Sequence, residues 1–250
     1  MSNSPLVKYT KISPNRTSPR NHAIDTISIH CVVGQCSLEA LGSIFANPKR
    51  QASCNYGVSP KGEIGMYVEE KDRSWCTSSS SNDNRAITIE VASDTSDPYA
   101  VTDAALAGLI RLLVDICKRN NIKELKWHGD PSLIGQVDKQ NMTVHRWFAN
   151  KSCPGDYLYN LHPYIASEVN KQLNPIEEEE EMTQETFNEM MDAYLVGLAK
   201  KEPDNWSAPA RAWAEKNKII NGDANGNKMY KKFVTREEIA QVLFNLNGKQ

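Results

Sequence analysis

The chain has 250 residues, a formal net charge of −2 and a hydrophobic fraction of 40%. This length accommodates one large domain with a sizeable core and a second, small one. The weak net charge gives no sign of a nucleic-acid partner, and the longest apolar stretch, residues 104–116, is interrupted by Arg111 and Asp115 and too short to span a membrane.

The first 21 residues are polar and rich in proline and serine. They lack the apolar region of a secretory signal peptide. Six dispersed cysteines form no CxxC pair, so we expect reduced thiols, of which one or more is available for chemistry. The spacing of Cys31 and Cys36 permits a link between them, but nothing else in the sequence supports one.

The region up to residue 173 mixes strand and helix patterns. Apolar and β-branched runs predict strands, and apolar residues at helical spacing predict helices. The expected elements are strands at 24–33, 86–92 and 122–127, a hairpin at 53–68 and helices at 102–120 and 157–172. This order predicts an α/β fold, in which helices flank a central mixed β-sheet with a cleft on one face.

The composition changes sharply after residue 173. Pro175 and Ile176 are followed by five consecutive glutamates, which indicate a self-repelling, solvated linker or the acidic start of a helix. Helical patterns then follow at 183–200, 208–217 and 235–246. We therefore divide the chain into a domain over residues 1–173, an acidic linker over 174–182 and a small all-α module over 183–250.

The first predicted strand carries a histidine on its polar face. Period-two alternation directs Ile27 and Ile29 to one face and Thr26, Ser28 and His30 to the other. The apolar face suits a core that is covered by helices. The polar face suits the floor of a cleft.

A second histidine and a cysteine lie eight residues apart in the segment 143–155. His145 and Cys153 can bend around one ion, with His30 as a third ligand. Three protein ligands leave one tetrahedral position of a zinc ion open to water, whose pKa the metal lowers toward 7. The spacing alone also permits a satisfied core histidine and a buried apolar thiol. His128 follows a predicted strand as well, and competes with His145 as a ligand.

The strand that ends in His30 and the segment from His145 through Lys151-Ser152-Cys153-Pro154-Gly155 resemble the second family of N-acetylmuramoyl-L-alanine amidases. That family includes bacteriophage lysozyme-type amidases and peptidoglycan recognition proteins. The order of the predicted elements over residues 24–173 matches as well. The resemblance implies one Zn²⁺ held by His30, His145 and Cys153. It also implies hydrolysis of the amide between N-acetylmuramic acid and L-alanine in peptidoglycan.

Two further groups are expected beside the ion. Alternation in the strand 86–92 directs Glu90 to the same kind of cleft as His30, where a carboxylate accepts and returns a proton. The resemblance gives Glu90 the role of general base, and Lys151 that of a cation that stabilises the oxyanion. The alternatives are an exposed strand glutamate and a solvated lysine. Cys54 stands where some members carry a catalytic tyrosine.

The resemblance also suggests contacts with the substrate. Trp75 matches an aromatic residue at the rim of the groove, although core packing explains it equally well. Tyr56 packs or lines the groove, and His128 becomes a groove residue once His145 is the ligand. His22 and His162 have no partners in sequence and are expected at the surface.

The tail carries a capping box, Thr235-Arg236-Glu237-Glu238, before an apolar helix. The segment 206–246, which contains this box, resembles one S-layer homology repeat, and the resemblance implies wall binding through Arg236 and a secondary cell-wall polymer as a second partner beside peptidoglycan. A structural cap or an oligomerisation unit is the alternative. We expect no nucleic-acid or membrane partner.

The lack of a signal peptide, combined with a wall-cutting activity, suggests a phage or prophage endolysin. Such an enzyme is made in the host bacterial cytoplasm and reaches the cell wall after release. A bacterial autolysin and a non-catalytic peptidoglycan-binding module are the alternatives. Non-catalytic relatives typically lose the cysteine ligand, so Cys153 favours the enzyme.

Overall fold

A computed structural model describes residues 2–175 and 182–247. The chain divides into two compact units, Met1–Ile176 and Glu177–Gln250, called unit 1 and unit 2 below. Residues 176–181 of the predicted linker lie outside the described residues. The assignment of separate functions to the two units stays a prediction.

Unit 1 is built on a six-stranded mixed sheet. Its strands, in spatial order, are β1 (Val7–Thr10), β5 (Ile64–Met66), β4 (Tyr56–Val58), β7 (Ala86–Val91), β3 (Thr26–Cys31) and β8 (Met142–Thr143). The β4–β5 hairpin is antiparallel and the other neighbours are parallel. Two further strands, β2 (Arg16–Thr17) and β6 (Arg73–Ser74), form a separate ribbon. The predicted mixed sheet and hairpin are confirmed.

The described part of unit 1 contains four α-helices, namely α1 (Leu38–Ala46), α2 (Ser80–Arg85), α3 (Asp103–Arg119) and α4 (Gly155–Leu173). The predicted helices at 102–120 and 157–172 are confirmed as α3 and α4. The side chain of Thr102 caps α3 by accepting a hydrogen bond from the backbone N–H of Ala105. The helical spacing of Leu109, Leu112 and Ile116 gives α3 an apolar side that is fully buried.

The main core lies between the sheet and the helices α3 and α4. Ile27 and Ile29 of β3 pack there with Ile87 and Ile89 of β7, as the alternation predicts. All six residues of β3 are buried, so its polar face is covered too. The polar residues on that face must therefore find partners inside the protein.

The prediction of a strand at residues 122–127 is wrong. In this irregular segment, the backbone N–H groups of Leu125 and Lys126 donate to the side-chain oxygens of Asn170 and Asn141, respectively. Side-chain acceptors thus replace a strand ladder. The outermost place next to β3 is taken by β8, which follows later in the chain.

The sequence analysis missed two elements of unit 1. Strand β1 has only four residues and adds to the sheet in parallel with β5. Helix α1 has nine residues and begins after Ser37, whose hydroxyl accepts from the N–H of Ala40 at 3.2 Å. Both elements are too short to give a strong periodic signal.

Over its described residues, unit 2 contains three α-helices, α5 (Gln184–Ala199), α6 (Ala208–Lys216) and α7 (Arg236–Asn247), close to the predicted ranges. The predicted capping box is present, because the N–H of Glu238 donates to the hydroxyl of Thr235 and the N–H of Thr235 donates to the carboxylate of Glu238. None of the described helices has the length and apolar composition needed to cross a membrane.

Candidate metal centre

The register of the two central strands puts His30 beside Glu90. Strands β3 and β7 run in parallel, and these two residues are partners across them. Neighbouring partners in a sheet direct their side chains to the same face. The predicted position of both residues on one polar face is therefore confirmed.

The third strand of this group leads the chain to His145. Strand β8 pairs with β3, and a short 3-10 turn, His145–Trp147, follows it directly. The rings of His30 and His145 lie 5.2 Å apart, centroid to centroid.

Cys153 reaches the same place from the loop before α4. The backbone N–H of Arg146 donates to the carbonyl of Cys153 at 3.1 Å. Gly155 then begins α4 with a φ of +78°, and a Cβ at that position would lie 2.8 Å from the carbonyl oxygen of Pro98. Only glycine fits this turn without strain. The turn fixes where Cys153 lies relative to the sheet.

The three side chains have a separation that suits one zinc ion. The potential ligand atoms of His30, His145 and Cys153 all lie within 4.8 Å of one another. The Sγ of Cys153 is 3.3 Å from the Nδ1 of His30. Typical zinc bond lengths at a tetrahedral angle separate a sulfur and a nitrogen ligand by roughly 3.6 Å. These residues therefore fit the ion that the resemblance implies.

Burial keeps the two histidines in the form that binds metal. Burial, with smaller effects from His145 and His162, lowers the pKa of His30 to about 3. The pKa of His145 is lowered by burial and by the charge of Lys151. A neutral imidazole has a free lone pair at one nitrogen, so both rings are available as ligands at neutral pH.

Cys153 is expected to lose its proton only when a metal ion binds. A hydrogen bond with Cys31, then burial, then the charge of Glu90 hold the pKa of the Cys153 thiol well above its usual range. A bound cation reverses this preference, since metal ligation requires the thiolate. Metal binding at Cys153 should therefore release a proton.

Glu90 lies at the edge of this cluster with one carboxyl oxygen unused. His30, Cys76 and Glu90 form a second group whose polar atoms lie within 4.8 Å of one another. The buried Oε2 of Glu90 has no hydrogen-bond partner among the described residues. Burial, and then Cys31, raises the pKa of Glu90 to about 8. A buried unpaired oxygen of this kind suits a partner such as a water molecule or a cation.

Asp83 holds a loop against His145, a feature that the sequence analysis missed. Its buried carboxylate accepts from the backbone N–H groups of Cys76 and Thr77 and from the hydroxyl of Thr77. The next residue, Ser78, has its hydroxyl 3.1 Å from the Nε2 of His145. An acidic residue six or seven positions after the loop gave no sequence signal, because its partners are backbone groups.

The remaining predicted site residues lie further out. Lys151 is exposed, and its charge acts on His145. Trp75 is half-buried, and its indole N–H donates to the hydroxyl of Thr17 at 3.0 Å. His128 is exposed and belongs to neither group of potential ligands among the described residues. Of the two competing histidines, His145 is thus the one that lies beside His30.

The predicted substrate contact of Tyr56 is wrong. Its side chain is fully buried, and its hydroxyl donates to Glu70 at 2.7 Å while accepting from the N–H of Ser4 at 2.9 Å. Tyr56 is the cross-strand partner of Ile89, which faces the core. Because cross-strand partners direct their side chains to the same face, the tyrosine enters the core rather than the cleft.

His162 is also misplaced by the sequence analysis, which expected it at the surface. It is fully buried on α4, and its Nδ1 donates to the carbonyl of Leu158 at 2.7 Å. The ring of Trp127 covers it at a centroid distance of 4.2 Å. The partner of Nδ1 is a backbone carbonyl one turn earlier on the same helix, which leaves no trace in the sequence pattern, and Nε2 has no hydrogen-bond partner among the described residues.

Cys54, which stands where some amidases carry a tyrosine, is fully buried. Its thiol donates to the carbonyl of Tyr56, with the sulfur 3.0 Å from that oxygen. Burial and the charge of Glu90 hold the pKa of the thiol well above its usual range. A protonated, internally bonded thiol of this kind is a packing group.

The chain matches the sequence model of a known protein family. The sequence model described as N-acetylmuramoyl-L-alanine amidase (Amidase_2) matches residues 20–156, more than half of the chain. This range includes both candidate histidine ligands and Cys153. No curated protein sequence matches the chain.

Several solved structures are similar to part of the chain. A mutant endolysin from Bacillus subtilis has 18% identity and a TM-score of 0.48, over 64% of this chain and 97% of its own. The endolysin N-acetylmuramoyl-L-alanine amidase LysCS from Clostridium intestinale has 17% identity and a TM-score of 0.46, over 67% and 93%. The Drosophila peptidoglycan recognition protein SA has 17% identity and a TM-score of 0.42, over 58% and 79%.

Proposed function

The chain belongs to the N-acetylmuramoyl-L-alanine amidase family, and on that premise we propose that it hydrolyses the amide between N-acetylmuramic acid and L-alanine in peptidoglycan with one bound zinc ion. The observation that carries the proposal is the grouping of His30, His145 and Cys153 within 4.8 Å, with the unpaired Oε2 of Glu90 at the edge of the group. Two neutral imidazoles and one thiol form a donor set that zinc prefers.

The reaction divides between the ion and the surrounding side chains. His30, His145 and Cys153 would hold the zinc ion, which would supply Lewis acidity toward a water molecule and a carbonyl group. Glu90 accepts a proton from the attacking water and returns it to the nitrogen of the leaving amine as the C–N bond breaks. The exposed ammonium of Lys151 stabilises the carbonyl oxygen as it gains negative charge.

Two aromatic or imidazole side chains are proposed to contact the substrate outside the reacting centre. Trp75 is half-buried and follows β6, directly before Cys76 of the second ligand group. His128 lines a cleft along α4 together with Trp127. A flat ring beside a groove provides a stacking surface for a sugar or a peptide group.

The decisive experiment measures zinc and hydrolysis together. We expect about one zinc per chain, and cleavage of purified cell walls that a chelator abolishes and added zinc restores. His30→Ala, His145→Ala and Cys153→Ser should each lose bound metal. His22→Ala and His128→Ala are the matched controls, since both histidines are exposed, and they should keep full metal content. Full zinc in His145→Ala together with loss in His128→Ala would reassign the ligand.

The same assay decides between the enzyme and a non-catalytic binding module. A binding module would retain purified peptidoglycan but release no muropeptide and no new L-alanine amino terminus. The setting that we propose is a phage or prophage endolysin that acts on the wall after release, with a bacterial autolysin as the alternative.

We also propose that unit 2 targets the enzyme to the wall. The proposal rests on the capping box at Thr235 and on the exposed Arg236 at the start of α7. A cation beside a helix N-terminus forms a site for a carboxylate or phosphate of a wall polymer. Assembly of several copies of the chain is the alternative.

A further inference from the structure

We propose that Ser28 is a positioning residue of the metal centre, because its hydroxyl accepts a hydrogen bond from the Nε2–H of His30 and so leaves Nδ1 free for the ion. This inference rests on the zinc site of the proposed function. Ser28 precedes His30 by two residues on β3, so both side chains lie on the polar face of that strand. Both are fully buried.

The direction of the hydrogen bonds follows from the second neighbour of Ser28. Its Oγ lies 3.1 Å from the Nε2 of His30 and 3.3 Å from the carbonyl oxygen of Thr143. A carbonyl oxygen only accepts, so the single hydroxyl hydrogen of Ser28 is used there. The serine then offers a lone pair to His30, and the Nε2 must carry the hydrogen.

This arrangement selects one tautomer of the ring. A neutral imidazole carries one N–H, so hydrogen at Nε2 leaves Nδ1 as a bare lone pair. Nδ1 is the atom that faces the candidate ligand set, 3.3 Å from the Sγ of Cys153. The opposite tautomer would direct N–H toward the ion. A ligand histidine is generally held in this way by a group outside the metal's own ligands.

The partner of the second histidine is less constrained. The hydroxyl of Ser78 lies 3.1 Å from the Nε2 of His145, but Ser78 is exposed. Its hydroxyl has no second hydrogen-bond partner among the residues that the structure describes. Water can replace an exposed hydroxyl at little cost. The structure therefore singles out Ser28, with Ser78 as the weaker counterpart.

The tautomer is measured directly on the zinc-free wild-type protein. Nitrogen-15 NMR of the histidine rings separates an Nε2–H imidazole from an Nδ1–H one, and a His30→Gln variant assigns the signal. We expect His30 as the Nε2–H form. An Nδ1–H form in the wild type overturns the proposal without the use of any serine variant.

The serine variants test the consequence for metal binding. Ser28→Ala should weaken zinc binding about 10- to 100-fold in competition with a fluorescent chelator, the usual effect of losing such a group. The His30 signal should shift toward a mixture of tautomers. Ser28→Thr keeps a hydroxyl and should recover most of the affinity. Ser74→Ala is the matched control: Ser74 is a fully buried serine that bonds Thr88 at 2.7 Å and touches no candidate ligand.

Zinc affinity within about twofold of the wild type in Ser28→Ala, with the tautomer unchanged, overturns the proposal. If Ser28→Ala does not fold, the tautomer of His30 in the wild-type protein decides whether the proposal stands. A wild-type chain that binds zinc with these properties but cleaves no peptidoglycan refutes the proposed function and leaves the role of Ser28 intact. A wild-type chain that binds no zinc refutes the zinc site, and the metal-binding role of Ser28 falls with it.

Discussion

At the scale of single residues, burial has opposite effects on the two neighbours His30 and Glu90. It favours the neutral imidazole, which is the form that binds a metal, and it favours the neutral carboxyl, which is not the form that accepts a proton. A cation in the ligand set shifts Glu90 back toward its charged form. A bound zinc ion would therefore lower the pKa of the residue proposed as general base.

Glu90→Gln tests the proposed base. We expect normal zinc content and fold, because glutamine has nearly the same shape, and a loss of roughly two to four orders of magnitude in the rate of hydrolysis. The rate is measured by release of muropeptides from purified walls. Glu63→Gln, a change at an exposed glutamate in the turn between β4 and β5, is the control and should be silent. Near-normal turnover in Glu90→Gln would show that Glu90 is not the general base.

The same variant tests the burial of Glu90 in the zinc-free protein. Its pKa is raised from 4.5 to about 8 in the folded state, so the folded chain retains a proton that the unfolded chain releases. The stabilising contribution of this proton is complete below about pH 4.5 and is lost as the pH rises to about 8. Glu90→Gln should therefore gain stability relative to the wild type between pH 5 and 8, by on the order of a few kcal/mol. The melting temperatures of the two proteins are measured across this pH range. If they change with pH in the same way, Glu90 is not buried as described.

At the scale of elements, α3 is tied to the loop after the hairpin by a buried ion pair. The carboxylate of Glu70 is fully buried and accepts two hydrogen bonds from Arg119, at 2.6 and 2.8 Å. It also accepts from the hydroxyl of Tyr56, which lies on β4. One carboxylate thus links the helix, the hairpin and the loop that leads to Trp75.

Removing the arginine should destabilise unit 1 strongly. Arg119→Ala leaves Glu70 buried without its counter-charge, and we expect a loss of about 3–5 kcal/mol in the free energy of unfolding. Lys171→Ala, which breaks the exposed pair between Lys171 and Glu168, is the matched control and should cost less than about 1 kcal/mol. Urea unfolding of both variants gives the two values. Equal losses would mean that water reaches Glu70.

At the scale of the whole molecule, the chain is two compact units that carry different kinds of surface. The candidate metal centre is made from residues of unit 1 alone. Unit 2 exposes several large apolar side chains, among them Trp206, with 83% of its surface accessible, and Phe244, with 70%. Exposed aromatic groups of this kind often belong to binding or assembly surfaces.

Truncation after Leu173 should leave a folded zinc protein that still cleaves soluble muropeptides. Its binding to intact walls should weaken, because tethering raises the effective concentration of the enzyme at its substrate. Arg236→Ala in the full chain should reproduce the binding defect with unchanged helix content, and Lys216→Ala, at another exposed cation of unit 2, should not. Wall pull-down measures binding, and light scattering measures mass. A change in mass on truncation, with normal wall binding by Arg236→Ala, would identify unit 2 as an assembly element.

Features that depend on a local pattern of residues could be predicted from the amino-acid sequence. Alternation in residues 26–31 and 86–91 predicted two core strands with His30 and Glu90 on the polar face, and the apolar spacing of 102–120 predicted α3. These predictions hold because side-chain direction in a strand or helix repeats with a fixed period. The Thr235 capping box was visible for the same reason, since its two partners are three residues apart.

Contacts between residues that are distant along the chain could not be predicted in this way and depend on the tertiary fold. His145 rather than His128 lies beside His30, because β8 takes the place next to β3 and the segment 122–127 stays irregular. Tyr56 enters the core and His162 is buried, since strand register and helix docking fix their direction. Ser28 and Asp83 acquire their roles from hydrogen bonds to Thr143 and to loop backbone. Such contacts join groups far apart along the chain, and no local period encodes them.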